Sequence, residues 1–447
     1  MKYWTPILLF LFVVPTGGRA FQTLYTVGFG PRAIALGGAV EASAEDASTL
    51  WYNPAGANHF MEVSLMASYN YLTTDLQFNG SSVKTENLRG IQGAIAFPFH
   101  FLGRKWTVGV GAFIPDQTLS RVRILPVTEP RFVIYNTDLH QVSVFPSFSV
   151  DVTRYLALGI SVGLLATNEG GGQFIEADLG QQRADVAFDL ESQNQAAPSL
   201  GLLFEMAKLD KELPDVRIGF LYRESLSVTF AVPGDINIQS TTTDPVTGET
   251  TTQSFFNADS LTEASIFWVP REVALGAAYP WRDRWLFLGG LVWRQWSEFP
   301  NQALQGVDNV SLFGGTSGQT NLPPFVDPNF NDTVNLKLGV EYPWIEGAKA
   351  NIALRGGYAF QPSPAPDPTS AELNYLDNDK HIFSAGAGFT FHDFSPMILH
   401  PVSFDLFLQY VYLPSRVALK ESGADPIGDY DYGGQTFAGG AGLSMQF

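Results

Sequence analysis

From about Met61 to the last residue, Phe447, large apolar side chains fall on alternate positions over stretch after stretch. Val142, Val144, Pro146, Phe148 and Val150 alternate with Gln141, Ser143, Phe145, Ser147 and Ser149. Leu156, Leu158, Ile160, Val162 and Leu164 alternate with Ala157, Gly159, Ser161 and Gly163. Val402, Phe404, Leu406, Leu408 and Tyr410 alternate with Ser403, Asp405, Phe407 and Gln409. Successive side chains of a strand point to opposite faces, so this pattern predicts strands with one large apolar face and one small or polar face. Candidate strands fall near residues 62–76, 88–102, 105–115, 131–152, 155–175, 197–208, 215–238, 253–280, 284–304, 333–343, 350–361, 380–391, 402–420 and 433–447. That is about fourteen, an even number, as bacterial single-chain barrels have. Gly103-Arg104, Val152-Thr153-Arg154 and Trp281-Arg282-Asp283 read as tight turns, and 209–214 and 392–401 as moderately short ones. Segments around 116–130, 176–196, 239–252, 305–332, 362–379 and 421–432 read as long loops. Tight turns at one end and long loops at the other match the periplasmic and extracellular ends of an outer-membrane barrel.

A soluble β-sandwich also alternates, so composition has to separate the two. Charged residues make up only 16% and aromatic residues 13%, with 43 glycines. The chain opens on Met1-Lys2, an apolar run from Ile7 to Val14, and small residues at Gly18-Arg19-Ala20. This reads as a secretory signal over residues 1–20, too short to span a membrane as a helix. No later apolar run is long enough either; Tyr155 to Thr167 is broken by Gly159, Ser161 and Gly163. An exported apolar chain without spanning helices can still cross a membrane as a closed barrel, where every backbone donor and acceptor finds a partner. Phe437, Gly439, Ala441, Leu443, Met445 and Phe447 share one face of the last strand. A terminal aromatic there resembles the signal read by outer-membrane assembly machinery. The net charge of -18 argues against a nucleic-acid partner. There is no Cys, hence no disulfide framework and no thiolate metal site.

The other face of the strands is mostly Ala, Gly and Ser, with apolar Phe113, Phe145 and Leu221. A water-filled porin calls for a densely polar lumen instead. Small inward residues leave room for a plug. Arg217, Arg223, Lys337, Glu341, Arg355 and Asp405 are the sparse inward charges, and read singly as solvated or paired lumen residues.

The stretch Gly28 to Asn58 is unlike the rest: rich in Gly and Ala, acidic in the middle, and carrying Asn53-Pro54-Ala55. Gly30-Pro31-Arg32-Ala33, Gly37-Gly38-Ala39, Ala44-Glu45-Asp46-Ala47-Ser48 and Tyr52-Asn53-Pro54-Ala55 resemble the N-terminal hatch of the FadL family. That family comprises outer-membrane channels for long-chain fatty acids and, in some members, aromatic hydrocarbons. The resemblance implies an all-β fold, a transmembrane antiparallel barrel of about fourteen strands whose lumen is plugged by the hatch. Residues 21–60 would be the hatch and 61–447 the barrel. It implies that Phe21, near the mature N-terminus, enters the ligand pocket and moves on gating. Gly37, Gly38 and the Asn53-Pro54-Ala55 triplet are further gating positions, the triplet touching the wall at the exit. The ligand is a fatty acid, lipid or hydrocarbon, and the other partner is outer-membrane lipid. Transport is passive, with no cofactor and no enzyme activity, by a monomer.

The exit concerns the third strand. Trp106, Val108 and Val110 alternate with Thr107, Gly109 and Gly111, and then Phe113-Ile114 run into Pro115. Pro115 has no backbone donor, so either the strand ends there or its pairing is interrupted. The resemblance favours interruption, a lateral gap at Gly109, Gly111, Phe113, Ile114 and Pro115. Related barrels also hold exported protein partners, so a structural or secretion-assembly barrel is the second reading.

Other motifs carry less. Gly28-x-Gly30-x-x-Ala33 imitates a dinucleotide fingerprint but lacks a preceding buried strand and a βαβ unit. A helix covering Ala42 to Trp51 would end at the Asn53-Pro54 turn. The six His residues lack metal-ligand spacing, and no Gly-x-Ser-x-Gly elbow occurs. Gln239 to Thr252 reads as a solvated loop and Pro362 to Pro368 as a stiff one. The family places basic residues near its pocket, whereas Asn168-Glu169 is polar and acidic.

Overall fold

A computed structural model describes residues 21–447 apart from 44, 84, 86, 117–129, 136–141, 166–169, 179–181, 193–195, 244–246, 248–249, 283, 301–304, 313–314, 322–326, 370–372, 393–399 and 424. The signal at 1–20, Ala44 and Asn168-Glu169 lie outside the described residues.

Fourteen antiparallel strands close into a ring. They are β1 (Ser64–Phe78), β2 (Leu88–Phe101), β3 (Arg104–Pro115), β4 (Ser143–Thr153), β5 (Leu156–Leu165), β6 (Ala196–Glu205) and β7 (Arg217–Arg223). The ring continues with β8 (Arg271–Trp281), β9 (Trp285–Gln295), β10 (Thr333–Glu346), β11 (Ala350–Gln361), β12 (Lys380–Phe391), β13 (Val402–Ala418) and β14 (Tyr430–Gln446). Each pairs with its sequence neighbours, and β1 pairs with both β2 and β14, which closes the ring. Closure leaves no free edge in hydrocarbon, where an unpaired backbone group costs several kcal/mol. Phe148, Ile160, Leu164, Leu406 and Leu408 point outward and are exposed, while Phe145, Ser147, Phe407 and Gln409 point inward and are buried. The alternation therefore reports lipid on one side and a filled lumen on the other.

All fourteen candidate strands have a counterpart in the ring. The period fails past its loop end, where the expected loops turn out to be paired. Gly170–Asp178, Gln182–Ser192, Leu226–Thr243, Thr250–Val269, Gln305–Leu312 and Gly315–Asn321 form a second, six-stranded sheet. Residues 239–243 and 250–252 of the loop expected from Gln239 to Thr252 thus belong to paired strands, with 244–246 and 248–249 between them outside the described residues, and 176–196 and 305–332 are not loops throughout. Thr, Ser, Asn and Gln give no apolar alternation to read, although β-branched Thr suits a strand well. The stretch 131–152 is divided as well: Arg131–Phe132 leaves the ring and pairs in parallel with Tyr375–Leu376. The helix expected over Ala42 to Trp51 shrinks to Thr49–Tyr52; at its expected start, Glu41 and Ala42 lie with their backbone against Gly219 and Gly276 of the wall.

The segment before β1 lies inside the ring. It contains α1 (Phe21–Thr26), α2 (Pro31–Ala35), α3 (Thr49–Tyr52) and a 3-10 turn over Pro54–His59. Its Phe29, Leu36, Leu50 and Trp51 share one buried cluster with Phe113, Phe145 and Leu288 of the wall. At several wall glycines the hatch backbone meets the wall backbone. A methyl group on Gly357 would lie 2.1 Å from Gly37 N, and one on Gly159 would lie 2.2 Å from Ala55 N. Gly37 itself has φ +65, a turn that favours glycine.

Charge fixes the same contact. Arg32 bonds both oxygens of Glu341 at 2.9 and 3.1 Å, and Glu341 also accepts from Arg355, which reaches Asp405. Lys337 bonds Glu41 at 2.7 Å, and Arg217 bonds Glu45 at 2.6 Å. Of the inward charges, Arg217, Lys337 and Glu341 pair directly with the hatch, Arg355 and Asp405 join through Glu341, and Arg223 pairs with Glu272 of the wall while donating to Trp51 O. Glu45 keeps about a third of its side chain in solvent. Partial burial would raise its carboxyl, but Arg32 and Arg217 outweigh that and hold it at about 2. Its contribution is complete above the ordinary value of 4.5 and is lost only as pH falls through about 2.

Two predictions follow from this architecture. Val63 and Phe447 exchange backbone bonds at the tight-turn end, so that end faces the periplasm. In this Cys-free chain, Gly423→Cys is expected to react with an impermeant maleimide on intact cells, and Lys211→Cys only after the outer membrane is permeabilised. The opposite labelling would invert the topology. Glu341→Ala leaves the buried Arg32 and Arg355 without a shared carboxylate, a loss of about 3–5 kcal/mol for a broken buried pair. Hydrogen exchange over residues 28–58 should then speed up while β1–β14 keep their protection; unchanged exchange would show that the charges do not anchor the hatch.

Candidate functional site

Three hollows succeed one another from the loop end toward the lumen. The outermost, about 660 Å³ counting its mouth, lies among Pro328, Phe330, Pro368, Leu373 and Tyr375. Phe330 and Tyr375 also belong to an aromatic cluster that includes Trp296 and Phe299 and packs against Trp268. Phe299 and Phe330 stack at 4.4 Å, and Tyr375 stands edge-on to both. Arg131 donates to the Tyr375 hydroxyl at 3.0 Å, which ties the parallel strand pair to this cluster.

The second hollow, about 720 Å³ counting the space continuous with solvent, lies behind the cluster. Val133, Ile134, Trp268, Trp296, Phe299 and Ile382 make it largely apolar. Arg294 and Lys380 are its cations, and each has a carboxylate. Lys380 bonds Asp377 at 2.7 Å, and Arg294 reaches Glu272 at 3.4 Å. The third hollow, about 600 Å³ counted the same way, lies in the lumen among Trp51, Tyr52, Glu41, Arg223, Glu272 and Lys337. Tyr25, Thr26, Arg294, Gln361 and Ile382 line both inner hollows, so the end of α1 forms the partition between them. Tyr25 meets Trp51 edge-on at 5.5 Å, and Arg223 lies 4.0 Å over the Trp51 ring.

The residues singled out from sequence occupy three places. Phe21 begins α1, the partition helix. Gly37 presses on the wall at Leu338 and Tyr358, and Gly38, with φ +70, lines the lumen hollow. Asn53, fully buried, donates to Glu41 O at 2.8 Å and Leu202 O at 2.9 Å, and accepts from Ala55 N at 3.1 Å. Pro54 and Ala55 lie against Gly159 of β5 and Gly201 of β6, so the triplet docks on those strands and not on β3. Its flanks reach β3: Leu50 fills the space of Gly109, and Asn58 accepts from Thr107 at 3.1 Å. Gly111 gives its space to the Phe145 ring. β3 pairs with β2 without a break from Phe101–Arg104 to Gly90–Pro115, and with β4 as far as Phe113–Ser143. Pro115 is the last residue of β3, so its missing donor falls at a strand end.

Sequence reasoning passed over Gln92, which is buried on β2, accepts from Gly30 N and donates to Gly28 O, both at 2.7 Å. It also passed over the aromatic cluster. The density of Trp, Phe and Pro around 268–270, 296–300 and 328–330 was the available signal, since loops exposed to water seldom hold large apolar groups together.

The comparisons with known proteins agree with this arrangement. The family model for outer membrane protein transport protein (OMPP1/FadL/TodX) matches residues 13–397. A curated relative, alkane uptake protein A of Marinobacter nauticus, is 29% identical over 197 residues, 44% of this chain. That match spans only 38% of the relative's length. Among solved structures, the P. putida toluene transporter TodX superposes with a TM-score of 0.54 at 15% identity, covering 94% of this chain and 99% of that one. A Pseudomonas aeruginosa FadL homologue gives 0.53 at 15% identity, covering 94% and 96%. The CymD monoaromatic hydrocarbon channel gives 0.51 at 16% identity, covering 94% and 98%. At these identities the superpositions speak for the fold. The plugged fourteen-strand ring and the family match over most of the length together place this chain among the OMPP1/FadL/TodX transport proteins of the Gram-negative outer membrane.

Proposed function

We propose that this protein is a passive channel for small apolar molecules, with neutral hydrocarbons as its substrate class. The observation that carries the reading is the pair of inner hollows meeting at Tyr25 and Thr26. An apolar chamber on the loop side stands against a lumen chamber, with the end of α1 and the wall residues Arg294, Gln361 and Ile382 between them. Moving that helix joins the chambers. Phe21 and its helix are the gate, and Gly37, Gly38 and Asn53-Pro54-Ala55 fix the rest of the hatch against the wall as it moves.

Neutral hydrocarbons suit the apolar chamber better than fatty acids do. A carboxylate entering it would meet Arg294 and Lys380, both already facing carboxylates. A hydrocarbon needs no counter-charge, and gains about 0.8 kcal/mol for each methylene buried. The alkane uptake relative points the same way. Low solubility in water favours release sideways into lipid over release along the axis. Gly109, Gly111, Phe113, Ile114 and Pro115 mark the side of the barrel toward which we place such an exit, since Leu50 and the Phe145 ring of the hatch-wall contact fill the spaces of Gly109 and Gly111 there, while the β2–β3 ladder itself is unbroken through Pro115. The second reading, a barrel holding an exported protein, fits the filled lumen less well.

The test is uptake by cells lacking other members of the family. Expression should raise the initial rate for radiolabelled hexadecane well above that for radiolabelled oleate. Trp296→Ala, which opens the aromatic wall of the apolar chamber, should lower the hexadecane rate about tenfold, equivalent to about 1.4 kcal/mol. Oleate uptake without hexadecane uptake would overturn the substrate class, and uptake of neither would overturn the channel.

A further inference from the structure

We infer that the lateral door of this barrel lies between β4 and β5, at Phe145-Pro146 opposite Val162-Gly163, with the Phe145 ring as its bolt. The inference rests on the channel reading and places the opening one strand beyond the β3 position that the family resemblance suggests.

The first observation is a break in the wall. β4 and β5 pair at Ser143–Leu165 and Val144–Leu164, and again from Ser147–Ser161 onward in the same register. Between them, Phe145 and Pro146 have no ladder partner on β5. The neighbouring ladders are whole at this level. Gly111–Phe145 and Val110–Pro146 are paired on the β3 side, and Gly163–Ala197 and Val162–Pro198 on the β6 side. The cause is chemical: Pro146 brings no N–H to a strand with neighbours on both sides, a place where proline weakens a sheet. The register does not shift, so no bulge repairs the loss.

The second observation is what surrounds the break. Outside it, Phe148, Ile160 and Leu164 are exposed, so the break opens onto the apolar belt. Inside it, the Phe145 ring is 1% exposed. It lies so close over Gly111 that a methyl group there would be 2.0 Å from the ring. Gly163 opposite has no side chain to replace it. A turn of one side chain therefore empties the space behind the break.

The third observation is a connection from the gate to this ring. Tyr25 contacts Trp51 at 5.5 Å, and Trp51 contacts Phe145 at 5.4 Å. Phe29 meets Phe145 from the other side at 5.0 Å. Tyr25 and Trp51 line the lumen hollow, so a ligand lodging there pushes on Trp51, one of the two rings that hold Phe145 shut. Ala55 against Gly159 keeps the hatch beside β5, next to the door.

The test uses the full-length, Cys-free chain in cells, with radiolabelled hexadecane as probe. Pro146→Cys with Val162→Cys, outward-facing and directly opposite, closes the break when oxidised. Uptake should fall at least tenfold on oxidation and return on reduction. Ile95→Cys with Val110→Cys, an outward pair in the unbroken β2–β3 ladder, should change uptake less than twofold. Phe145→Ala supplies an independent readout: it should raise the rate several-fold, whereas Phe148→Ala on the lipid face should leave it unchanged. If the oxidised 146–162 pair transports at the reduced rate, or if Phe145→Ala folds and leaves the rate unchanged, the door is elsewhere. Wild-type protein that carried no hexadecane would instead reject the channel reading beneath it.

Discussion

The close approach of hatch backbone to wall backbone is the contact on which the rest depends. A ring of fourteen strands encloses a lumen too wide for short inward side chains to fill, and here a segment of about forty residues fills it. Peptide planes of the hatch come closest to the strands where the wall has no Cβ, as at Gly159, Gly219, Gly339 and Gly357. That requirement explains why the inward face is paved with Gly, Ala and Ser. It also explains the buried charges. Burial of Phe29, Leu36, Leu50 and Trp51 against the wall is non-directional, so Arg32–Glu341–Arg355 and Lys337–Glu41 supply orientation. Buried ion pairs are poor sources of net stability but costly to break, and their geometry admits one docking position.

The same contact shapes the route. The hatch is pinned along α2 and the Asn53 turn, and the proposed gate is the remaining piece, α1, at the partition between the two inner hollows. Tyr25, Trp51 and Phe145 form a chain of ring contacts from that partition to the wall. Rings in edge or tilted contact gain about a kcal/mol per pair beyond area burial. Such contacts hold a closed state and yet yield to a ligand that replaces the lost surface.

Much of the barrel was legible in the sequence. A strand between lipid and a packed lumen must alternate, so Phe148 and Phe145, or Leu406 and Phe407, announce both the strand and its faces. The upper sheet was not legible, because stretches such as Thr241-Thr242-Thr243 and Thr250-Thr251-Thr252 carry no contrast between faces. The hatch was readable from its glycines and the Asn53 triplet. Its partners were readable only as isolated inward charges, since the pairing of Arg32 with Glu341 spans 309 residues. The aromatic cluster was missed because its members come from segments far apart in the chain. Its rings become neighbours only when Arg131–Phe132 and Tyr375–Leu376 pair across the mouth.

The central claim is that movement of α1 joins the two inner hollows when an apolar ligand is present. The direct measurement is the distance between spin labels at Thr26→Cys on the partition and Lys211→Cys on the periplasmic rim, by pulsed electron resonance with and without hexadecane. The account predicts a second, longer or shorter distance population that grows with hexadecane and is absent with a water-soluble sugar. A single unchanged distance in a protein that still transports hexadecane would contradict it.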